Sequence, residues 1–95
     1  MRIEWTDRAT RDLRAAFEYW AGERSLTAAG KMLDTIFSAV EMLERHPAAG
    51  RRGRVAGTRE LVILRTPFLI AYRIHGETIQ LLALLHGARK WPERF

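Results

Sequence analysis

The chain has 95 residues, of which 47% are hydrophobic, and its 16 lysines and arginines outnumber 11 acidic residues to give a formal net charge of +5. This length fits one domain over residues 1–95 with a single core, and the absence of cysteine excludes thiolate zinc sites, disulfide frameworks and cysteine nucleophiles. Since the longest apolar run is far shorter than the roughly 20 residues that span a bilayer, we expect a cytoplasmic protein without membrane association.

The first half of the chain predicts a strand followed by two helices. Apolar and charged residues alternate over Met1–Trp5, as in a half-buried strand. Thr6 or Asp7 can cap a first helix that extends to about residue 22. Ser25 can cap a second helix, which the His46–Pro47 pair ends. The result is a long helical hairpin.

The second helix carries two apolar stripes. The first comprises Leu26, Ala29, Leu33, Ile36, Phe37, Val40 and Leu43. The second, weaker stripe comprises Ala28, Met32, Ala39 and Met42. Together they cover more of the helix than packing on one sheet requires. Either the first helix covers the surplus, or the surplus forms a groove for a partner helix, in which methionine supplies adaptable contacts.

The segment at residues 47–54 is rich in glycine and contains Arg51, Arg52 and Arg54. It matches no phosphate-binding loop, because no Gly-Lys-Ser/Thr sequence follows and no strand leads into a helix. We interpret it as a solvated loop. An electrostatic contact with a polyanion is the alternative, since the whole chain is basic and a basic surface also suits ribosomes or an acidic protein.

Three apolar runs at residues 58–65, 68–75 and 78–86 predict an antiparallel meander. Two helices can cover only one face of the resulting sheet. We therefore expect apolar residues of the other face, such as Leu82 and Leu84, to be exposed and to mark an interface. The predicted fold is α+β, in the order β-α-α-β-β-β, with a helical hairpin packed on one face of a mainly antiparallel four-stranded sheet.

Motifs in the meander resemble those of a known family. They are Gly57-Thr58-Arg59-Glu60-Leu61 leading into residues 67–73, and a closing His86-Gly87 with Trp91-Pro92. In their order and spacing, across the whole chain, these strings resemble the ParE/RelE superfamily of toxins from type II toxin–antitoxin modules. The resemblance implies a cognate antitoxin, ParD-like and with a ribbon-helix-helix domain, whose C-terminal segment wraps the toxin. The antitoxin also binds operator DNA, so this chain would meet that DNA only indirectly.

The superfamily has two activities, mRNA cleavage on the ribosome in RelE-like members and poisoning of DNA gyrase in ParE-like members. The position of a key nuclease arginine is Leu69 here, the nuclease lysines fall near residues 60–63, which include no cation, and Gly87 stands where some nucleases have a tyrosine. His86 remains as a catalytic candidate, although a histidine that closes an apolar strand is more often structural. The resemblance thus favours a ParE-like gyrase-binding protein over an enzyme. An RNase using His86, or a toxin-fold remnant that only binds antitoxin, are the alternatives.

Two sets of candidate site residues follow from this resemblance and from the surplus apolar surface. The target-binding set is Arg59, Arg65, Arg73, His86, Arg89, Lys90 and Trp91. The antitoxin-binding set is Ala28, Met32, Ala39, Met42, Leu82 and Leu84. No metal site and no cofactor are expected.

Overall fold

Two helices pack on one face of a five-stranded sheet in the computed structural model, which describes residues 1–87, 92, 94 and 95. The elements are β1 (Arg2–Trp5), α1 (Asp7–Glu23), α2 (Leu26–Arg45), β2 (Arg51–Arg52), β3 (Arg59–Val62), β4 (Phe68–His75) and β5 (Thr78–His86). The sheet order is β1-β5-β4-β3-β2, and only the β1–β5 pair is parallel. The predicted α+β fold is confirmed.

The sheet has one strand more than predicted. The additional strand β2 lies in the segment interpreted as a solvated loop, where Arg51 pairs with Glu60 and Arg52 with Arg59. Strand β3 is also shorter than the predicted run, because the chain turns after Val62. The interpretation of residues 47–54 as a loop without further structure is therefore wrong for β2.

Local capping signals set the helix starts. The Thr6 hydroxyl accepts a hydrogen bond from Ala9 N at 3.2 Å and donates to Leu81 O at 2.7 Å, so it caps α1 and ties that helix to β5. The Ser25 hydroxyl accepts from Ala28 N at 3.0 Å and caps α2.

No helix in the described part of the chain is long and apolar enough to cross a membrane.

A β-bulge in β5 changes which side chains face the helices. Tyr72 pairs with Leu81, but Ala71 pairs with Ala83, so Leu82 is an extra residue in β5. Beyond the bulge the alternation is inverted, and Leu84 points into the core beneath the helices with only 6% of its surface exposed. The prediction that Leu84 is exposed is therefore wrong, while Leu82 is half-buried.

The sheet face opposite the helices is also buried in part. Four small or apolar residues form a second cluster there: Leu69, Ala71, Ala83 and Leu85. Leu69 is 4% exposed and Leu85 is 9% exposed. The expectation that the apolar residues of this face are exposed is wrong for these four.

Helix α2 buries most of the predicted first stripe, namely Ala29, Ile36, Val40 and Leu43, together with Met32 of the second stripe. Met32 is 2% exposed and belongs to the main core, and Ala39 and Met42 pack against that core. The exposed apolar side chains are instead Leu26, at 69%, and Phe37, at 44%. The proposed methionine groove is thus wrong for Met32, and core packing covers most of the second stripe.

Candidate functional site

A cleft of about 1250 Å³ lies between α1 and the end of the sheet where β3 turns into β4. Helix α1 lines it with Arg8, Asp12, Ala15, Ala16, Tyr19 and Trp20, followed by Glu23 and Arg24. The sheet side contributes Arg65, Thr66, Pro67, Phe68, Leu84, Leu85 and His86. Cationic and aromatic side chains therefore meet at one end of the domain, and we treat this cleft as the candidate site.

Aromatic rings form one wall of the cleft. The ring centroids of Trp20 and Phe68 are 6.4 Å apart, and the His86 ring packs edge to face against Phe68 at 5.9 Å. The Arg24 guanidinium lies 4.7 Å from the centre of the Trp20 ring, within cation–π range. This wall offers apolar contact and positive charge side by side, which suits an amphipathic partner group.

Asp12 is one of the acidic residues that line the cleft, and its side chain has a structural role. Its Oδ2 accepts a hydrogen bond from Leu84 N at 3.1 Å and lies 3.4 Å from Arg8 Nε. The guanidinium carbon of Arg8 also lies 5.8 Å from the centre of the Phe95 ring. The last residue of the chain therefore reaches the first turns of α1. Among the described residues, no group of three or more histidine or acidic residues could hold a metal ion.

The described members of the predicted target-binding set do not form one patch. Arg65 and His86 both line the cleft. Arg59 lies towards the other end of the sheet, where its guanidinium donates to Gly50 O at 2.9 Å. Arg89, Lys90 and Trp91 lie outside the described residues. Of the described members, the structure thus brings Arg65 and His86 together and leaves Arg59 apart.

Arg73 lies apart from the cleft as well. It extends from the sheet face opposite the helices and hydrogen-bonds the Gln80 side chain, whose amide donates to Glu4 at 2.7 Å. These three side chains form a polar row across β4, β5 and β1. Arg73 therefore has partners within the sheet and is distant from Arg65.

The face opposite the helices contains the positions at which the RelE-like resemblance implied catalytic cations. Val62 pairs with Leu69 and Glu60 pairs with Ala71, so these positions are neighbours. Leu69 belongs to the buried apolar cluster, and Val62 is an exposed apolar residue. The one charged member, Glu60, is an acid, so this part of the face offers no cation from those positions.

Glu60 is buried and fully engaged. Its Oε1 accepts from Arg51 Nη2 at 3.1 Å and its Oε2 accepts from Arg54 N at 2.8 Å. Burial raises the pKa of the Glu60 carboxyl, but the hydrogen bonds from Arg54 and Arg51 and the charges of both guanidinium groups outweigh it, so the pKa is lowered. This cluster holds β2 against β3.

Tyr72 anchors the same segment from the helix side of the sheet. Its hydroxyl donates to Pro47 O at 2.7 Å and accepts from Gly50 N at 2.8 Å. Burial raises the pKa of the Tyr72 phenol, although the hydrogen bond from Gly50 and the charge of Arg59 act in the other direction. Gly50 is required here, because a Cβ at this position would lie 2.6 Å from the Tyr72 hydroxyl oxygen.

Sequence reasoning missed two features of this region. The first is the stacking of Arg24 on Trp20, for which the spacing of four residues within a helix was an available signal. The second is the Glu60 cluster, whose signal was a single carboxylate in an apolar run that follows an arginine-rich segment. A buried acid requires a cationic partner, and that segment supplies it.

Comparison with known proteins gives a consistent result. Residues 3–91 match the family described as the ParE toxin of the type II toxin–antitoxin system parDE. The chain is 38% identical over 92 residues to a protein of Sinorhizobium fredii (strain NBRC 101917 / NGR234) named "Putative toxin Y4kP", covering 97% of this chain and 94% of that protein. Among solved structures, it is similar to a chain of the chromosomal ParDE TA system from P. aeruginosa, with a TM-score of 0.81 and 31% identity over 88% of this chain and 92% of the other.

Proposed function

Because the chain belongs to the ParE toxin family of type II toxin–antitoxin systems, we propose that it inhibits growth by binding and poisoning DNA gyrase. In this proposal it acts in the cytoplasm as a binding protein rather than an enzyme. A cognate ParD-like antitoxin neutralises it, and that antitoxin rather than the toxin contacts operator DNA.

We favour gyrase over mRNA as the target because of the residues on the sheet face opposite the helices. An RNase must stabilise negative charge that develops on the transferring phosphoryl group, and it does so with cations aimed at that group. Leu69 and Val62 provide no charge at the corresponding positions, and Glu60 is an acid whose carboxylate is paired with Arg51 and Arg54. Since Glu60 binds Arg51 and Arg54, it also holds the nearest guanidinium groups of the segment 47–54.

The environment of His86 supports the same choice. Its ring packs edge to face on Phe68 at the end of β5, on the side of the sheet that bears α1. Leu69 and Glu60 lie on the other side. A general acid or base must act within hydrogen-bond reach of the group it protonates. His86 is therefore poorly placed to assist a phosphate bound on the opposite face.

Induction of the chain in growing cells, with two separate readouts, tests this proposal. We expect the DNA-damage response and filamentation to follow induction, while ribosome-bound mRNA remains uncut. The His86→Ala variant is expected to retain most of the toxicity, whereas an RNase that used His86 for proton transfer would lose about a hundredfold or more. Codon-positioned mRNA cuts that disappear in His86→Ala would contradict the proposal.

For the antitoxin, we propose that it covers the exposed apolar side chains of α2. Leu26 and Phe37 are exposed, and Phe37 packs on Trp5 of the edge strand β1 with ring centroids 6.0 Å apart. From the predicted set, Ala28, Ala39 and Met42 remain partly exposed on the same helix and Leu82 on β5. Met32 and Leu84 are too deeply buried to be contacted in this conformation.

A further inference from the structure

The turn between β3 and β4 exposes a leucine and an arginine next to each other. Leu64 is 73% exposed, and Arg65 is exposed beside it on the rim of the cleft. Thr66 N donates to Ile63 O at 3.2 Å, so residues 63–66 form a β-turn. Its third residue, Arg65, has φ of 67°. A positive φ at this position is typical of a type II turn, in which the residue is usually glycine or asparagine.

The backbone at Arg65 is strained. A residue with a Cβ is disfavoured at positive φ, because the Cβ approaches the following carbonyl oxygen. Elsewhere in the described part of the chain, the positive φ values of 77° and 60° belong to Gly57 and Gly76. The chain thus uses glycine at its other left-handed positions but has arginine here. Such strain is concentrated at functional sites, where the side chain contributes something that the backbone would not otherwise require.

The turn is nevertheless firmly held. The Thr66 hydroxyl donates to Ile63 O at 2.9 Å and accepts from Phe68 N at 3.1 Å. Gly87 N donates to Pro67 O at 3.0 Å, which ties the turn to the end of β5. Ile63, at the base of the turn, is buried in the main core. A turn fixed in this way presents its exposed side chains from a backbone that has little conformational entropy left to lose on binding.

We propose that Leu64 and Arg65 form a contact point for a protein target, in which Leu64 enters an apolar pocket and Arg65 binds a carboxylate at its edge. The inference rests on the proposed function, with gyrase as the protein target. Arginine is enriched at the energetic centres of protein interfaces, and the net charge of +5 favours an acidic surface. A nucleic acid could bind Arg65 through a phosphate, but its backbone offers no pocket for an exposed leucine.

Single substitutions in the turn test this inference. We would measure binding of the wild-type chain, Leu64→Ala, Arg65→Gly and Arg65→Asn to purified gyrase in the absence of DNA, together with thermal unfolding and growth inhibition. Binding should weaken at least about tenfold in each variant, as at an interface hot spot. The melting temperature of Arg65→Gly should be unchanged or raised, since glycine relieves the strain, and asparagine also tolerates this backbone. Arg14→Ala, which removes an exposed arginine of α1 outside the cleft lining, is the matched control and should bind as the wild type does.

The possible outcomes separate this inference from the gyrase proposal. If the wild type binds gyrase and the turn variants bind equally well, the inference is overturned and the gyrase proposal stands. Weakened binding by both Arg65 variants with unchanged binding by Leu64→Ala would indicate a purely charged contact and would also overturn it. If the wild type binds gyrase neither alone nor with plasmid DNA present, the gyrase proposal fails. Growth inhibition then decides the role of the turn: folded variants that remain fully toxic contradict it, and folded variants that lose toxicity support a different protein target.

Discussion

Replacement of Glu60 by glutamine is expected to lower the free energy of unfolding by about 2 kcal/mol. The Glu60 side chain is 2% exposed, and both of its oxygens accept hydrogen bonds, one from Arg51 and the other from Arg54. Glutamine keeps one acceptor and places an amide NH₂ against the donors at the other. A hydrogen bond involving a charged group contributes about 1.5–3 kcal/mol. The side chains of Arg51 and Arg54 are 59% and 49% exposed, so water can hydrate them after the change and the loss stays near the lower part of that range.

Urea denaturation of the purified chain at neutral pH measures this loss. For a domain of this size, about 2 kcal/mol corresponds to a decrease of roughly 8–16 °C in the melting temperature, which gives a second readout. Glu44→Gln, at an exposed position of α2, is the matched control and should change the stability by less than about 0.5 kcal/mol. A Glu60→Gln protein as stable as the wild type would refute the conclusion that this carboxylate holds β2 and residues 51–54 against the sheet.

The same pair of proteins should differ less in acid. The pKa of Glu60 is lowered in the folded state, so its carboxylate stabilises the fold above the unfolded-state pKa, which is about 4.3 for glutamate. This contribution decreases as the pH falls from that value through the folded-state pKa, because the unfolded state takes up a proton in this range before the folded state does. The stability difference between the wild type and Glu60→Gln should therefore be full at pH 7 and shrink below about pH 4. A difference that is constant over this range would show that charge plays no part in the cluster.

Two further substitutions and one truncation have expected outcomes. Tyr72→Phe leaves Pro47 O and Gly50 N without their buried partner, and we expect a loss of about 2 kcal/mol in the same urea assay; an unchanged midpoint would contradict this anchor. Phe37→Glu places a charge on the exposed apolar surface of α2, and it should weaken antitoxin binding at least about tenfold in a titration with purified antitoxin. The lost contact with the Trp5 ring should lower the melting temperature only modestly, so the variant stays folded in the assay. Full affinity would show that the antitoxin does not contact this surface. Removal of residues 89–95 should abolish toxicity while antitoxin binding is retained, and full growth inhibition by the truncated chain would refute a role for the tail.

Local signals in the sequence predicted the helices and most of the sheet. Thr6 and Ser25 are N-cap residues of a type that can be recognised without a structure, and the three apolar runs match β3, β4 and β5 in order. Strand β2 could not be predicted in this way. It is two residues long, and it depends on the contact of Arg51 with Glu60, nine residues away, rather than on any preference of its own.

The β-bulge at Leu82 explains the incorrect prediction for Leu84. In the run from Leu81 to Leu85 every residue is apolar, so either face could be buried and the alternation carries no information about where it is interrupted. The pairing of β4 with β5 and the packing of α1 decide it instead. Met32 was misplaced for a related reason: on a helix with a wide apolar surface, the pattern does not reveal which part lies at the centre of the contact.

The site was predicted only in part. Arg65 and His86 were predicted as target-binding residues from the family resemblance, and both do line the cleft. The residues opposite them, such as Trp20 of α1 and Arg24 directly after that helix, come from a distant part of the sequence that only the folded chain brings near. The strain at Arg65 likewise depends on the turn geometry and has no signature in the residue type.

The most direct test of the account is a DNA-cleavage assay with purified components. The chain would be incubated with gyrase and supercoiled plasmid, and the reaction stopped with detergent and protease to reveal broken DNA. We expect linear plasmid to accumulate in proportion to the amount of toxin, and prior addition of the antitoxin to prevent this. Intact plasmid at every toxin concentration, together with mRNA cleavage when the same protein is added to translating ribosomes, would contradict it.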